Sequence, residues 1–473
     1  MALDSATTSR QITPRLLFKC LCIGGNAITA YGALTFPLIS PDLSEKLQLS
    51  QRQLSTIVLA GLIGQYPFAA VAGELVDRVG TWACSAIAAL AFGIGYGVFA
   101  WMVGTSVTPE TPLSPLAFRI MVASYFMLGL GQVFSYFSAM FTAAKEFPLH
   151  NGLATGITLA LFGLSPLFLS LPSCFFSSPT GTVDAQSYTI FIGSLATAMH
   201  FISIFGLRGS PPPLIIIDPP STDATESSAD EETPLLIKPQ PEERPGYPQT
   251  WLTVVHDGYF WWIFAITGLI IGSSEMVIGN IGTVVTSLLT ITQGSSQAVS
   301  NQVQLLSICN TLSRLFAGPL IDLLCPNPFH SGRSRVRMSR FGFVAFAGTL
   351  LIICYGYMGF LASSNNHTWL LSMGVGAAYG TMWTVLPGIV RLIWGEANFG
   401  RNFGMMAYAP FLGTTAWTYI FALNIERESG DGGQEARCVG ARCWRTTFQV
   451  CAVAILVAVL SLSGLWKRWH ATV

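Results

Sequence analysis

Apolar stretches of roughly 20 residues, the length a helix needs to cross a bilayer, recur twelve times along this chain, and no other feature limits its fold as strongly. They lie at about 16–40, 55–76, 81–103, 116–143, 151–172 and 188–206, then 259–289, 298–322, 341–363, 368–394, 402–423 and 446–466. Backbone amides inside hydrocarbon have no water to bond, so such segments satisfy them internally as helices. Only 10% of the residues are charged, against about 25% in soluble domains. The expected class is an all-α membrane protein with twelve transmembrane helices in two pseudo-symmetric six-helix bundles. Residues 1–206 form the first bundle, 207–258 a disordered cytosolic linker, and 259–473 the second. The first apolar run has no small-residue cleavage site and is read as a retained span. Glycine is abundant, and runs such as Gly93-Ile94-Gly95-Tyr96-Gly97 suit close helix packing.

Composition also removes several function classes. Basic and acidic residues balance at 24 each, without the basic surface that nucleic acid requires. Ten scattered cysteines include no CxxC pair, and the six histidines are dispersed, so no metal site is expected. No HExxH, GxSxG or Walker loop occurs, which disfavours enzymes and ATP-driven pumps and implies no cofactor.

An even number of crossings puts both termini on one side. With the termini cytosolic, fifteen Lys and Arg fall in inner segments and six in outer loops, as the positive-inside rule asks. The sequon at Asn366 then lies in an outer loop, and so do Cys438 and Cys443, a pair able to form a disulfide on a non-cytosolic face.

A pentapeptide repeats where the second span of each half ends: Gly73-Glu74-Leu75-Val76-Asp77, then Gly318-Pro319-Leu320-Ile321-Asp322. Aspartate at a helix C-terminus opposes its own dipole and is better placed near an arginine or another helix's N-terminus. The stretch "GELVDRVG" resembles the loop motif of the major facilitator superfamily, with Gly73, Asp77, Arg78 and Gly80 in place. The resemblance implies a conformational latch at Asp77 and Arg78 between the bundles. The second copy keeps Asp322 but has Leu323 where the arginine would stand, and by analogy Glu396 and Arg401 join the latch. The segments "KEFPLHNGLATGI", "SSEMVIGNIG", "NTLSRLFAGPLID" and "RLIWGEANFGRNFGMMAYAPFLG" are similar to the fungal monocarboxylate-transporter homologues of the vacuolar membrane, a group related to plant nodulin-like facilitators. That likeness implies the major facilitator fold and a transporter of the vacuolar membrane.

The segment 207–250 is rich in Pro, Ser, Asp and Glu and lacks apolar periodicity. Within it Glu231 precedes Leu235-Leu236 at the spacing of an acidic dileucine signal, which would engage a sorting adaptor.

Ionisable residues inside spans usually face a bundle interior or an aqueous path. Glu275 and Arg314 are the two deep ones, while Arg119 lies near the outer start of its span and reads as an anchor. At 1.5 Å per residue, Glu275 and Arg314 differ in height by about 10 Å, so a substrate or water rather than a tight ion pair is expected between them. Glu275 is the expected proton-coupling group and Arg314 the expected contact to an anionic substrate, with Asn280 and Asn310 as candidate lining residues. True monocarboxylate transporters carry an acid where Asn310 stands and a lysine where Leu38 stands, two departures from lactate-type transport. The expected protein is a monomeric secondary transporter of a small metabolite in a lipid bilayer. A transporter-like ligand sensor or assembly protein without flux is the alternative.

Overall fold

The computed structural model describes residues 13–49, 51–105, 113–148, 150–176, 183–209, 251–288, 295–325, 338–362, 367–395, 398–429 and 438–469. The sorting sequence at Glu231, Leu235 and Leu236, the sequon residue Asn366, and Glu396 lie outside these residues. Span 1 is α1 (Pro14–Thr29), a 3-10 turn (Gly32–Thr35) and α2 (Phe36–Leu47). Span 2 is α3 (Gln51–Gln65) with α4 (Ala69–Arg78), and spans 3 and 4 are α5 (Thr81–Thr105) and α6 (Pro115–Glu146). Span 5 is α7 (Asn151–Ser170) with the turn Leu171–Phe176, and span 6 is α8 (Ala185–Gly206). A short α9 (Trp251–His256) opens the second half, so helix begins inside the segment expected to be all linker. Spans 7 to 10 are α10 (Gly258–Leu288), α11 (Ser295–Leu324), α12 (Phe341–Phe360) and α13 (Thr368–Trp394). Span 11 is α14 (Phe399–Met406) with α15 (Tyr408–Ser429), and span 12 is α16 (Arg442–Trp469).

The breaks have chemical causes. Pro67 has no amide hydrogen and its ring opposes a continuing turn, so span 2 divides there. Pro410 sits in the first turn of α15, where a missing N–H costs nothing. Eight of the spans are uniformly long and apolar enough to cross a membrane. Spans 1, 8, 10 and 11 are not among them: span 1 is divided into short helices, span 11 begins with the separate α14, and all four carry polar residues or prolines within them. Large side chains such as Leu90, Trp101, Phe168, Phe316 and Leu460 remain exposed, a belt suited to hydrocarbon.

Packing repeats between the halves. Helix α5 packs on α8 as α12 packs on α16, and α3 on α6 as α11 on α13. Span 1 meets span 5 through α1 and α7, as span 7 meets span 11 through α10 and α15. The bundles join through α4 on α14 and α7 on α11. By parity of crossing, the contact of α4 with α14 lies on the side that bears both termini.

On the opposite side Cys438 and Cys443 form a disulfide. Its loop is tied to the end of α10, with Gly440 N–H donating to the Ser287 carbonyl at 2.7 Å and Trp444 Nε1 to Ser287 Oγ at 3.0 Å. We expect alkylation of the unreduced protein to spare Cys438 and Cys443 while modifying the exposed Cys20 and Cys174. Peptide mass spectrometry checks this, and alkylated Cys443 before reduction would refute it.

Candidate functional site between the bundles

Glycine contacts set the position of Glu275. A Cβ on Gly272 of α10 would fall 2.5 Å from the Gly413 carbonyl carbon, and one on Gly413 would fall 2.1 Å from the Gly268 oxygen. Helices α10 and α15 therefore touch backbone to backbone. That approach delivers Thr414, whose Oγ1 donates to Glu275 Oε2 at 2.6 Å. Tyr379 of α13 donates to Oε1 at 3.0 Å, and Tyr66 donates to the same oxygen at 2.8 Å. Tyr66 belongs to the first bundle and stands at the break before Pro67. The carboxyl is thus held by side chains of both bundles and points into their interface, not to lipid.

Arg314 is buried on α11. Its Nε donates to Asn310 Oδ1 at 3.0 Å, one turn away, and its Nη1 to the Leu159 carbonyl of α7 at 3.1 Å. The guanidinium carbon lies 5.6 Å from the centre of the Tyr379 ring, within cation–π range. Small residues on both sides permit this. A Cβ on Gly156 would come 2.7 Å from the Arg314 carbonyl oxygen, and one on Gly380 would come 2.0 Å from Ser313 Oγ. Among the described residues no ion pair joins Glu275 to Arg314. Tyr379 lies between them, bonding the acid through its hydroxyl and the base through its ring. Asn310 thus supports Arg314, whereas Asn280 donates back to the Met276 carbonyl of its own helix at 2.8 Å.

An aromatic wall adjoins this pair. Tyr136 meets Phe162, Trp383 and Phe403 with ring centres 5.2, 6.4 and 6.4 Å away. Tyr136 OH and Trp383 Nε1 are buried and make no hydrogen bond among the described residues.

Two clamps close the side of the termini. Asp77, in the last turn of α4, accepts from Gly400 N–H at 3.0 Å and Arg401 N–H at 2.8 Å, amides of the first turn of α14. Asp322, in the last turn of α11, accepts from Gly152 N–H at 2.9 Å and Leu153 N–H at 2.8 Å, amides of the first turn of α7. Each carboxylate thereby satisfies unpaired donors and meets the positive end of a helix in the other bundle. Each clamp is also a glycine crossing, since a Cβ on Gly73 would fall 1.9 Å from the Gly400 oxygen and one on Gly318 would fall 2.2 Å from the Gly152 oxygen. Arg78 is exposed and pairs with Glu74 on its own helix, while Arg401 Nε reaches Glu74 across the interface at 3.7 Å. Gly80 adopts φ +113°, turning the chain sharply after α4.

Sequence reasoning read Tyr66 as a packing residue and missed Tyr379 and Thr414 around the acid, and Glu74 in the clamp. It also passed over Gly152-Leu153-Ala154-Thr155-Gly156 and Gly400-Arg401-Asn402-Phe403-Gly404, two G-x-x-x-G segments that receive the two G-x-x-x-D segments. Their matching spacing was the available signal.

Residues 14–232 match the Nodulin-like family model. Probable transporter mch1 of Neurospora crassa is 27% identical, covering 95% of this chain and 88% of that one. Probable transporter MCH1 of Saccharomyces cerevisiae is 23% identical over 91% and 88%. Among solved structures, the proton:xylose symporter XylE superposes with TM-score 0.63 at 13% identity, covering 96% of this chain and 95% of that one. The transporter FucP in its outward conformation gives 0.60 at 10% identity over 94% and 99%. These relatives and neighbours are transporters rather than enzymes. Relatives along nearly the whole chain, and a twelve-span architecture shared with solved major facilitator superfamily transporters, show a multi-pass membrane protein with the major facilitator fold.

Proposed function

We propose that the protein is a proton-coupled secondary transporter that moves a small anionic metabolite across the vacuolar membrane by alternating access. One observation supports this most strongly: an acid and a base deep in the membrane meet at the seam between two lobes. Glu275 has donors from both bundles, so a rocking motion that parts the bundles must exchange those donors and can change its proton affinity. Arg314 sits one ring away and supplies the positive charge for an anion. The clamps at Asp77 and Asp322 hold the side of the termini shut and must release for the cycle to proceed. In this reading that side is cytosolic, Asn366 is glycosylated in the lumen, and the Glu231–Leu236 segment engages a sorting adaptor. The carrier works as a monomer.

The test is uptake of radiolabelled carboxylates and phosphates into proteoliposomes of the purified chain, with and without an imposed pH gradient. Saturable accumulation that collapses with the gradient supports the reading. Ligand binding without flux across the panel would instead favour a sensor. Arg314→Ala removes a charged partner worth about 1.5–3 kcal/mol. We expect the anion KM to rise by about ten- to a hundredfold, with Arg314→Lys in between. An unchanged KM in Arg314→Ala would remove the residue from the substrate path.

A further inference from the structure

We propose that the substrate is an aromatic carboxylate whose ring also carries a hydrogen-bond acceptor, bound at the level of Arg314 between Tyr136 and Trp383. This rests on the anion-binding role proposed for Arg314 and specifies the anion. The three side chains share one depth. Tyr136 on α6, Arg314 on α11 and Trp383 on α13 each stand ten or eleven residues before the end of their helix at Glu146, Leu324 or Trp394. Those ends lie on the side of the termini, so all three are about 15 Å above it at 1.5 Å per residue. Rings connect them: Arg314 lies 5.6 Å from the centre of the Tyr379 ring, Tyr379 is 6.2 Å from Trp383, and Trp383 is 6.4 Å from Tyr136. The last of these contacts crosses the seam, as does the near-parallel pair of Tyr136 and Phe403.

Burial makes the polar atoms of this wall informative. Tyr136 and Trp383 are each only 9% exposed, and among the described residues neither Tyr136 OH nor Trp383 Nε1 has a hydrogen-bond partner. Unpaired groups are costly in a protein interior, and here two belong to rings that touch across the surface that alternation must open. An indole N–H can only donate, and a phenol O–H can donate, so the ligand feature they suit is an acceptor. Arg314 spends Nε and Nη1 on the neutral oxygens of Asn310 and Leu159, which leaves its charge for an anion. A cation is the other ligand that aromatic walls hold. It fits poorly at this level, where the guanidinium repels it and the indole offers no lone pair.

An aromatic acid meets each of these demands. Its carboxylate matches the guanidinium fork, its ring takes the place of the ring contacts at the seam, and its acceptor receives a hydrogen from Tyr136 or Trp383. Both donors are already unpaired in the empty closed state, so a ring acceptor gains a hydrogen bond without first displacing one.

The experiment measures equilibrium binding of radiolabelled nicotinate, benzoate and acetate to the purified full chain in neutral detergent, alongside their uptake into proteoliposomes. We expect benzoate to bind at least about tenfold more tightly than acetate through burial of its ring. Nicotinate should bind about tenfold more tightly again through its ring nitrogen. Tyr136→Phe combined with Trp383→Phe keeps aromatic walls but removes both donors, and should bring nicotinate down to the level of benzoate. A folding defect would weaken both acids alike. Equal binding of nicotinate and benzoate in wild type overturns the proposal, as does a preference for nicotinate that survives in the double variant. Acetate binding as tightly as benzoate, or no saturable binding of nicotinate, overturns it too. Benzylamine displacing nicotinate better than benzoate does would assign the wall to a cation, with the same consequence. Binding needs no flux, so the two roles can fail separately. The expected order of binding without pH-driven uptake keeps the ligand class and rejects the carrier, whereas pH-driven uptake of acetate with no aromatic preference does the reverse.

Discussion

Gly73→Ala will keep the two bundles from closing on the side of the termini. The added Cβ falls 1.9 Å from the Gly400 oxygen and 2.7 Å from the Arg401 nitrogen. Both obstacles are backbone, so no rotamer change relieves them, and the packed helices must separate by roughly 1.5 Å. Asp77 then loses the two amides it accepts at 3.0 and 2.8 Å. Hydrogen bonds to a charged group are each worth about 1.5–3 kcal/mol. Losing both shifts the balance between closed and open by at least about a hundredfold. Transport is expected to fall more than tenfold, because one of the two alternating states becomes scarce. Nitroxide labels at positions 79 and 338, both exposed and on opposite bundles, should report a longer distance by pulsed electron resonance. Gly97→Ala, where a Cβ meets nothing within 4 Å, serves as the control. A wild-type distance distribution together with wild-type flux in Gly73→Ala would show that this crossing does not govern closure.

Pseudo-symmetry sharpens that expectation. A Cβ at Gly318 meets the Gly152 oxygen at 2.2 Å, and Asp322 holds the first amides of α7 as Asp77 holds those of α14. The two clamps use one device in opposite directions: each bundle contributes one aspartate and one helix N-terminus. Opening must therefore break both, and weakening either one biases the same equilibrium.

The parts of this architecture that were legible in the sequence are those set locally. A run of apolar residues must be a crossing helix whatever surrounds it, so the spans could be drawn directly. Glu275 and Arg314 stood out because ionised groups are rare in such runs. The aspartates were legible because a pentapeptide recurred and because its dipole argument named the partner it needed. What failed was everything decided by a second span. Tyr66, Tyr379 and Thr414 come from three different spans, and an isolated aromatic in a span reads as packing. Prolines show the same limit. Pro67 divides its span, whereas Pro166, Pro319 and Pro387 lie inside unbroken helices. Neighbouring spans can satisfy backbone groups left open at such breaks, and beside the one at Pro67 the Pro67 carbonyl accepts from Tyr408 OH at 2.8 Å.

Glu275→Gln will uncouple the carrier without emptying its site. Glutamine matches glutamate in shape and still offers a carbonyl oxygen to Tyr66 and Tyr379, which donate to Oε1 at 2.8 and 3.0 Å. Its amide can face Thr414, whose hydroxyl turns from donor to acceptor. Local structure is therefore kept, while the titratable proton and the charge are gone. If the acid takes up a proton in one state and releases it in the other, accumulation driven by a pH gradient should drop at least tenfold in the variant. Exchange of labelled for unlabelled substrate at equal pH needs no net proton movement and should survive. Tyr66→Phe removes a single donor from the first bundle and leaves the carboxyl intact. It should therefore alter the pH dependence of uptake and spare coupling itself. That contrast separates a proton carrier from a structural acid, since a purely structural Glu275 would lose exchange and accumulation together. Accumulation against a gradient in Glu275→Gln, at the wild-type level, would place the coupling elsewhere in the seam.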